Sequence, residues 1–178
     1  MLVQEGELIF DISAISVEKL DKKGIPKPEG MSFVDLVIEE KDKIFLIEVK
    51  DPSQQGTPIK NKERFLRDLK QDNLINQKLV PKARDSYTYL HLMKRDNKPF
   101  IFVLLLGLDS LELEKDMEKS IELDEALLLS FQERLLKRIR KEAAQPWKRK
   151  YIKKCIVITT EKWPEYFSKY SIARKWKH

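Results

Sequence analysis

Three side chains of this sequence could act together on one substrate: Asp35, Glu48 and Lys50. Two carboxylates and an ammonium group can hold a hard divalent cation, orient a water and offset charge developing on a phosphate. Spacing alone does not single them out, because the same acid-x-lysine string also starts at Asp21, Glu39, Asp68 and Asp96. What sets Glu48 and Lys50 apart is their place at the end of an apolar run, Ile44-Phe45-Leu46-Ile47. Strand alternation puts Ile44, Leu46, Glu48 and Lys50 on one face, where isolated charge is costly.

Asp35 closes the constellation through the hairpin that its segment implies. Phe33–Glu39 and Ile44–Lys50 read as two strands around a charged turn at Lys41-Asp42. A symmetric turn there makes facing residue numbers sum to 83, so Asp35 lies opposite Glu48, with Cβ atoms roughly 4.5–5.5 Å apart. An odd-length turn or a bulge would send one carboxylate to the other face. Facing carboxylates repel unless a proton or a cation sits between them. Mg²⁺ or Mn²⁺ suits such oxygen ligands, and Mg²⁺ commonly takes one or two carboxylates and completes its shell with water and phosphate.

The strand Phe33-Val34-Asp35-Leu36-Val37-Ile38, the turn, and the strand Phe45-Leu46-Ile47-Glu48-Val49-Lys50 resemble the motif of the PD-(D/E)XK nuclease superfamily. The following helix and buried strand are similar in arrangement to that superfamily's restriction-endonuclease-like core. The resemblance implies that Asp35 and Glu48 bind Mg²⁺ or Mn²⁺, with the Val49 carbonyl as a further ligand. It also implies that Lys50 assists an attacking water held by the metal. It departs from the pattern at Val34, where the motif commonly has proline, and in the near absence of a leading helix. Only Glu5 and Glu7 precede the first strand and could supply the glutamate that such a helix carries in many members. Gln71, on the helix after the motif, stands where some branches place an auxiliary polar residue; its alternative is an ordinary exposed glutamine.

The elements that must position these groups follow from periodicity and punctuation. Leu8–Val17 reads as a strand, followed by a loop from Asp21 to Ser32 with Gly24, Pro26, Pro28 and Gly30. After the hairpin, Thr57-Pro58 opens a helix running toward Leu79, which Pro81 interrupts and which resumes to about Lys94. Phe100–Leu106 is an apolar run of strand length, expected at the centre of the sheet. Ser120–Glu142 carries a helical stripe of Leu128, Phe131, Leu135 and Ile139, and Cys155–Thr160 makes the last strand. This order predicts an α/β fold with a mixed central sheet flanked by helices. The 178 residues are expected to form one domain, with 163–178 as a basic, aromatic tail.

The formal charge is +6, and its distribution is uneven. Between Arg134 and Lys154 there are ten Lys or Arg against Glu142, whereas Asp109–Glu125 is strongly acidic. Arg134, Lys137, Arg138, Lys141, Lys148, Arg149 and Lys150, with Trp147 and Tyr151 among them, form a candidate nucleic-acid surface; the alternative is a solvated helix face. DNA is the expected partner, with RNA-directed or junction-cutting activity as alternatives. A non-catalytic nucleic-acid-binding protein on the same fold is the rival from another class. A homodimer, which would cut both strands of a duplex, rests on analogy. The single Cys155 rules out an internal disulfide and a cysteine-based zinc site. No phosphate-binding loop, dinucleotide fingerprint or serine-hydrolase elbow is present. With neither an apolar run of about 18 residues nor signal-peptide features at Met1-Leu2-Val3, a cytoplasmic protein without membrane partners is expected.

Overall fold

A computed structural model describes residues 1–22, 24, 27–107, 125–141 and 146–175. Its strands are β1 (Leu2–Glu5), β2 (Leu8–Asp11), β3 (Ser16–Lys19), β4 (Leu36–Glu39), β5 (Ile44–Lys50), β6 (Phe100–Leu106), β7 (Ile152–Thr159) and β8 (Ser171–Arg174). Its helices are α1 (Ile59–Lys70), α2 (Val80–Leu92), α3 (Glu125–Arg140) and the single turn α4 (Trp163–Tyr166). The main sheet has the order β3-β4-β5-β6-β7. The pairs β3–β4 and β4–β5 are antiparallel, whereas β5–β6 and β6–β7 are parallel. The fold is therefore α/β with a mixed central sheet, and β5 is the strand at which the pairing changes sense.

Both faces of β5 and β6 are covered, which is why these strands read as nearly continuous apolar runs. Ile44, Leu46, Phe102, Leu104 and Leu106 pack toward the helices, against Leu66 and Leu69 of α1, Ala83 and Leu90 of α2, and Phe131, Leu135 and Ile139 of α3. On the opposite face, Phe45, Ile47, Val49, Val103 and Leu105 meet Leu8, Phe10, Trp163 and Phe167. That cover comes from a smaller sheet, β1-β2-β8, together with α4. No helix among the described residues is long and apolar enough to cross a membrane.

Two expectations from the sequence need correction. The region read as one strand, Leu8–Val17, is split between two sheets as β2 and β3. Gly6, at φ 58°, turns β1 into β2, occupying the first position of a two-residue turn between the paired Glu5 and Leu8. The helix after β5 breaks at Gln71, whose backbone leaves helical geometry at φ −107° and ψ 161°, rather than at Pro81. Pro81 lies in the first turn of α2, directly after a π-helical turn at Ile75–Leu79. The first turn of a helix is where proline is tolerated. In the segment read as a basic, aromatic tail, residues 163–175 are docked: Trp163 is fully buried, and β8 pairs with β2 through Leu8↔Arg174 to Asp11↔Ser171. Of the helix expected over Ser120–Glu142, residues 120–124 and 142 lie outside the described part.

Candidate active site

The β4–β5 hairpin is closed by the Glu40 N–H donating to the Lys43 carbonyl at 2.9 Å. Its pairs run Leu36↔Ile47, Val37↔Leu46, Ile38↔Phe45 and Glu39↔Ile44, the register expected from an even turn at Lys41-Asp42. Asp35 sits one residue before β4, and its carbonyl still accepts the Leu20 N–H at 3.1 Å. Its side chain turns onto β5, where Oδ2 accepts the Val49 N–H at 2.7 Å. Glu48 is fully buried, and Lys50 donates to its Oε1 at 2.5 Å. The structure thus brings Asp35, Glu48, Val49 and Lys50 together at the carboxyl end of β5.

A fourth side chain completes the cluster and was not anticipated. Lys82, near the start of α2, places its Nζ 2.8 Å from Glu48 Oε2, 3.6 Å from Asp35 Oδ1 and 3.7 Å from Asp21 Oδ2. The same helix anchors the backbone that leads into Asp35: Ser86 Oγ accepts the Val34 N–H at 2.9 Å, and Asp85 Oδ2 accepts the Ser32 N–H at 3.0 Å. One helical turn therefore fixes both the lysine and the segment that carries the facing carboxylate. Its signal in the sequence was indirect: Leu79, Ala83 and Leu90 continue one apolar face past Pro81, which requires a helix through Lys82.

The electrostatics are those of charge drawn out of water. Burial pushes the Glu48 carboxyl above its usual range and Asp35 adds to this, while Lys50 and Lys82 pull it down. For Lys82, burial disfavours the ammonium, but Glu48, Asp35 and Asp21 outweigh it and hold the group above its usual value. Burial also raises Asp21, yet Lys27 and Lys82 leave its carboxyl below the ordinary range. The cluster is an ionic network in which the least accessible carboxylate, Glu48, is flanked by two ammonium groups.

The donor set fits a small hard cation. Asp35, at the entry to β4, and Glu48, on the neighbouring β5, share one cation, the Lys82 ammonium. Two carboxylates are what magnesium commonly takes from a protein. Among the described residues no group of three or more His, Cys, Asp or Glu side chains is gathered as a metal site, so further ligands would be backbone carbonyls, water or substrate. Neither Glu5 nor Glu7 contacts this cluster. Glu5 pairs with Lys19 at 2.6 Å, and Glu7 is bound by Arg174 at 3.3 Å and by the Gln55 N–H.

The remaining candidates separate from the carboxylates. Gln71 is exposed at the carboxyl end of α1 and accepts from Asn73 Nδ2 at 3.2 Å. Arg134 and Arg138 both pair with Asp72, at 2.6 and 3.2 Å. Lys137 is exposed on α3, and Lys141 lies 4.6 Å over the Trp147 ring. Lys148, Arg149 and Lys150 line a cleft of about 710 Å³ together with Tyr87, Phe100 and Tyr151. That cleft is at the amino ends of β6 and β7, since Phe100 pairs with Ile44 and with Ile152. It therefore lies at the opposite end of the parallel strands from Glu48 and Lys50. No protein-family model matches the chain, and comparisons with curated proteins and with solved structures return no significant match.

Proposed function

We propose that this chain is a divalent-metal-dependent nuclease with a restriction-endonuclease-like core, hydrolysing phosphodiester bonds in DNA. One observation carries the reading: Asp35, at the entry to β4, and Glu48, on the antiparallel neighbour β5, face a shared positive charge while Lys50 stands on the same side of β5. Burying such a pair is costly, and a site that uses a cation gives a reason to retain it. Asp35 and Glu48 would hold Mg²⁺ or Mn²⁺, with the Val49 carbonyl as a further donor. When bound, that ion lowers the pKa of a coordinated water and stabilises charge on the scissile phosphate. Lys50, partly exposed and only one hydrogen bond from Glu48, can turn its ammonium toward the incoming phosphate or toward the attacking water. The Val49 N–H fixes one oxygen of Asp35 and leaves the other facing the site. Water is the nucleophile, so no side chain need form a covalent bond to substrate.

The test uses plasmid DNA, single-stranded DNA and RNA with Mg²⁺ or Mn²⁺. Asp35→Ala and Lys50→Ala should each reduce cutting by on the order of 10²-fold or more, as losses of charge-stabilising groups do, while nucleic-acid binding persists. Variants that cut as well as the parent would refute the assignment. A parent that binds nucleic acid but cuts none of these substrates would favour the non-catalytic binding protein.

A further inference from the structure

We infer that Lys82 is a built-in competitor for the divalent ion: its ammonium occupies the position between Asp35 and Glu48, and metal binds only as Lys82 gives that position up. The inference rests on the metal reading above and adds to it a residue that sets affinity. Three observations support it. The Lys82 ammonium is 2.8 Å from Glu48 and 3.6 Å from Asp35, so it neutralises the same two carboxylates that an ion would bridge. Its side chain is only 13 % exposed, which leaves little solvent in which both charges could be screened from each other. The helix that carries it is tied to the Asp35 segment through Ser86 and Asp85, so withdrawal must be a side-chain movement and not a shift of the helix.

The fold also provides a place for the displaced charge. Asp21 lies 3.7 Å from the Lys82 ammonium and, at 28 % exposed, is the most accessible of the three carboxylates around it. A short swing of the lysine stem away from Glu48 keeps the ammonium paired at Asp21 while the buried carboxylates accept the ion. Asp21 is thus a receiving group for Lys82 and has no direct bond to the metal.

The experiment is calorimetric titration of Mn²⁺ into the full chain and its variants, each checked for native circular dichroism. Lys82→Gln should bind Mn²⁺ about tenfold tighter than the parent, within the usual span of coupling between two sites. Without metal the same variant should melt earlier than the parent, and Mn²⁺ should raise its melting temperature by more. Lys82→Met serves the same purpose if the glutamine variant does not fold. Asp21→Asn should weaken Mn²⁺ binding in the parent background and leave it unchanged beside Lys82→Gln. Affinity in Lys82→Gln equal to or below that of the parent would overturn the inference, as would an equal Asp21→Asn effect in both backgrounds. Asp35→Asn separates the two levels of the argument. If Mn²⁺ binding is saturable and lost in Asp35→Asn yet unaffected by Lys82→Gln, only the role of Lys82 falls. If neither the parent nor Lys82→Gln binds Mn²⁺, the metal reading falls with it.

Discussion

Replacing Arg174 by methionine should destabilise this protein by about 3–5 kcal/mol, the usual cost of removing one partner from a buried ionic group. The guanidinium forks onto Asp51, with Nη1 at 2.7 Å from Oδ2 and Nη2 at 3.0 Å from Oδ1. It also reaches Glu7 at 3.3 Å and the Gly107 carbonyl at 3.0 Å. Side-chain exposure is 7 % for Arg174, 7 % for Glu7 and 8 % for Asp51, so water cannot replace the lost cation without opening the structure. Methionine keeps most of the apolar stem, which makes the loss chiefly one of charge. Asp51 also has little freedom to turn away, because the Gly107 backbone passes so close that a Cβ there would lie 2.3 Å from Asp51 Oδ1. For a chain of this size the expected cost corresponds to a fall in melting temperature of roughly 6–20 °C. Urea unfolding followed by circular dichroism measures the loss, and a change below about 1 kcal/mol, the level of an exposed ion pair, would refute the reasoning. Adding Glu7→Gln and Asp51→Asn to Arg174→Met should recover a large part of the stability, since unpaired charge would then be gone. No recovery would assign the loss to packing instead.

Two further outcomes test the supports of the candidate site. Ser86→Ala should lower stability by about 1–3 kcal/mol, because it leaves the buried Val34 N–H without an acceptor; urea unfolding showing no loss would mean that this bond does not hold the segment before Asp35. Asp72 joins the end of α1 to α3, and although burial raises its carboxyl, the Arg138 and Arg134 guanidiniums hold it below the ordinary 3.8. A lowered folded-state value gives stability that is fully present above the unfolded pKa and is lost as pH falls through the folded one. Asp72→Asn should therefore be less stable than the parent at pH 7, with the gap between urea midpoints closing in acid, as pH falls through the lowered Asp72 range. A gap of equal size at both pH values would show that the ion pairs contribute nothing.

The parts of the site that were legible in the sequence are local ones. A two-residue turn at Lys41-Asp42 sets the register of a hairpin, and alternation then places Glu48 and Lys50 on one face, so Asp35 could be put beside Glu48 from numbering alone. Lys82 follows from no spacing, since its approach depends on how a helix docks on the sheet. Pro81 actively misled, because proline inside a helical pattern reads as a break, whereas here it lies in the first turn of α2, where it is tolerated. The burial of Trp163 and Phe167 had a readable sign in their four-residue spacing, whereas the pairing of β8 with β2 joins residues near opposite ends of the chain. Arg174 looked like one more basic residue of a tail, and only that long-range pairing brings it to Asp51 and Glu7. Charge clustering was likewise ambiguous: the sequence shows that Arg134 and Arg138 are close together, but not that both are committed to Asp72.

The placement of charge along the main sheet bears on how a polyanion could be held. The carboxyl end of β5 carries an ionic cluster on each face: Glu48 and Lys50 with Lys82 toward the helices, and Asp51 with Arg174 and Glu7 toward the smaller sheet. This is also where the sheet changes from antiparallel to parallel pairing. The basic cleft of Lys148, Arg149 and Lys150 is at the other end. From Ile44 to Lys50 the strand advances about 20 Å, well beyond a Debye length at physiological salt. On the proposed function, Lys148, Arg149 and Lys150 therefore cannot steady a phosphate attacked beside Glu48. On that reading the task falls to Lys50, since Lys82 displaced from Glu48 stays paired at Asp21, while the cleft can contribute only to a strand long enough to run the length of the sheet.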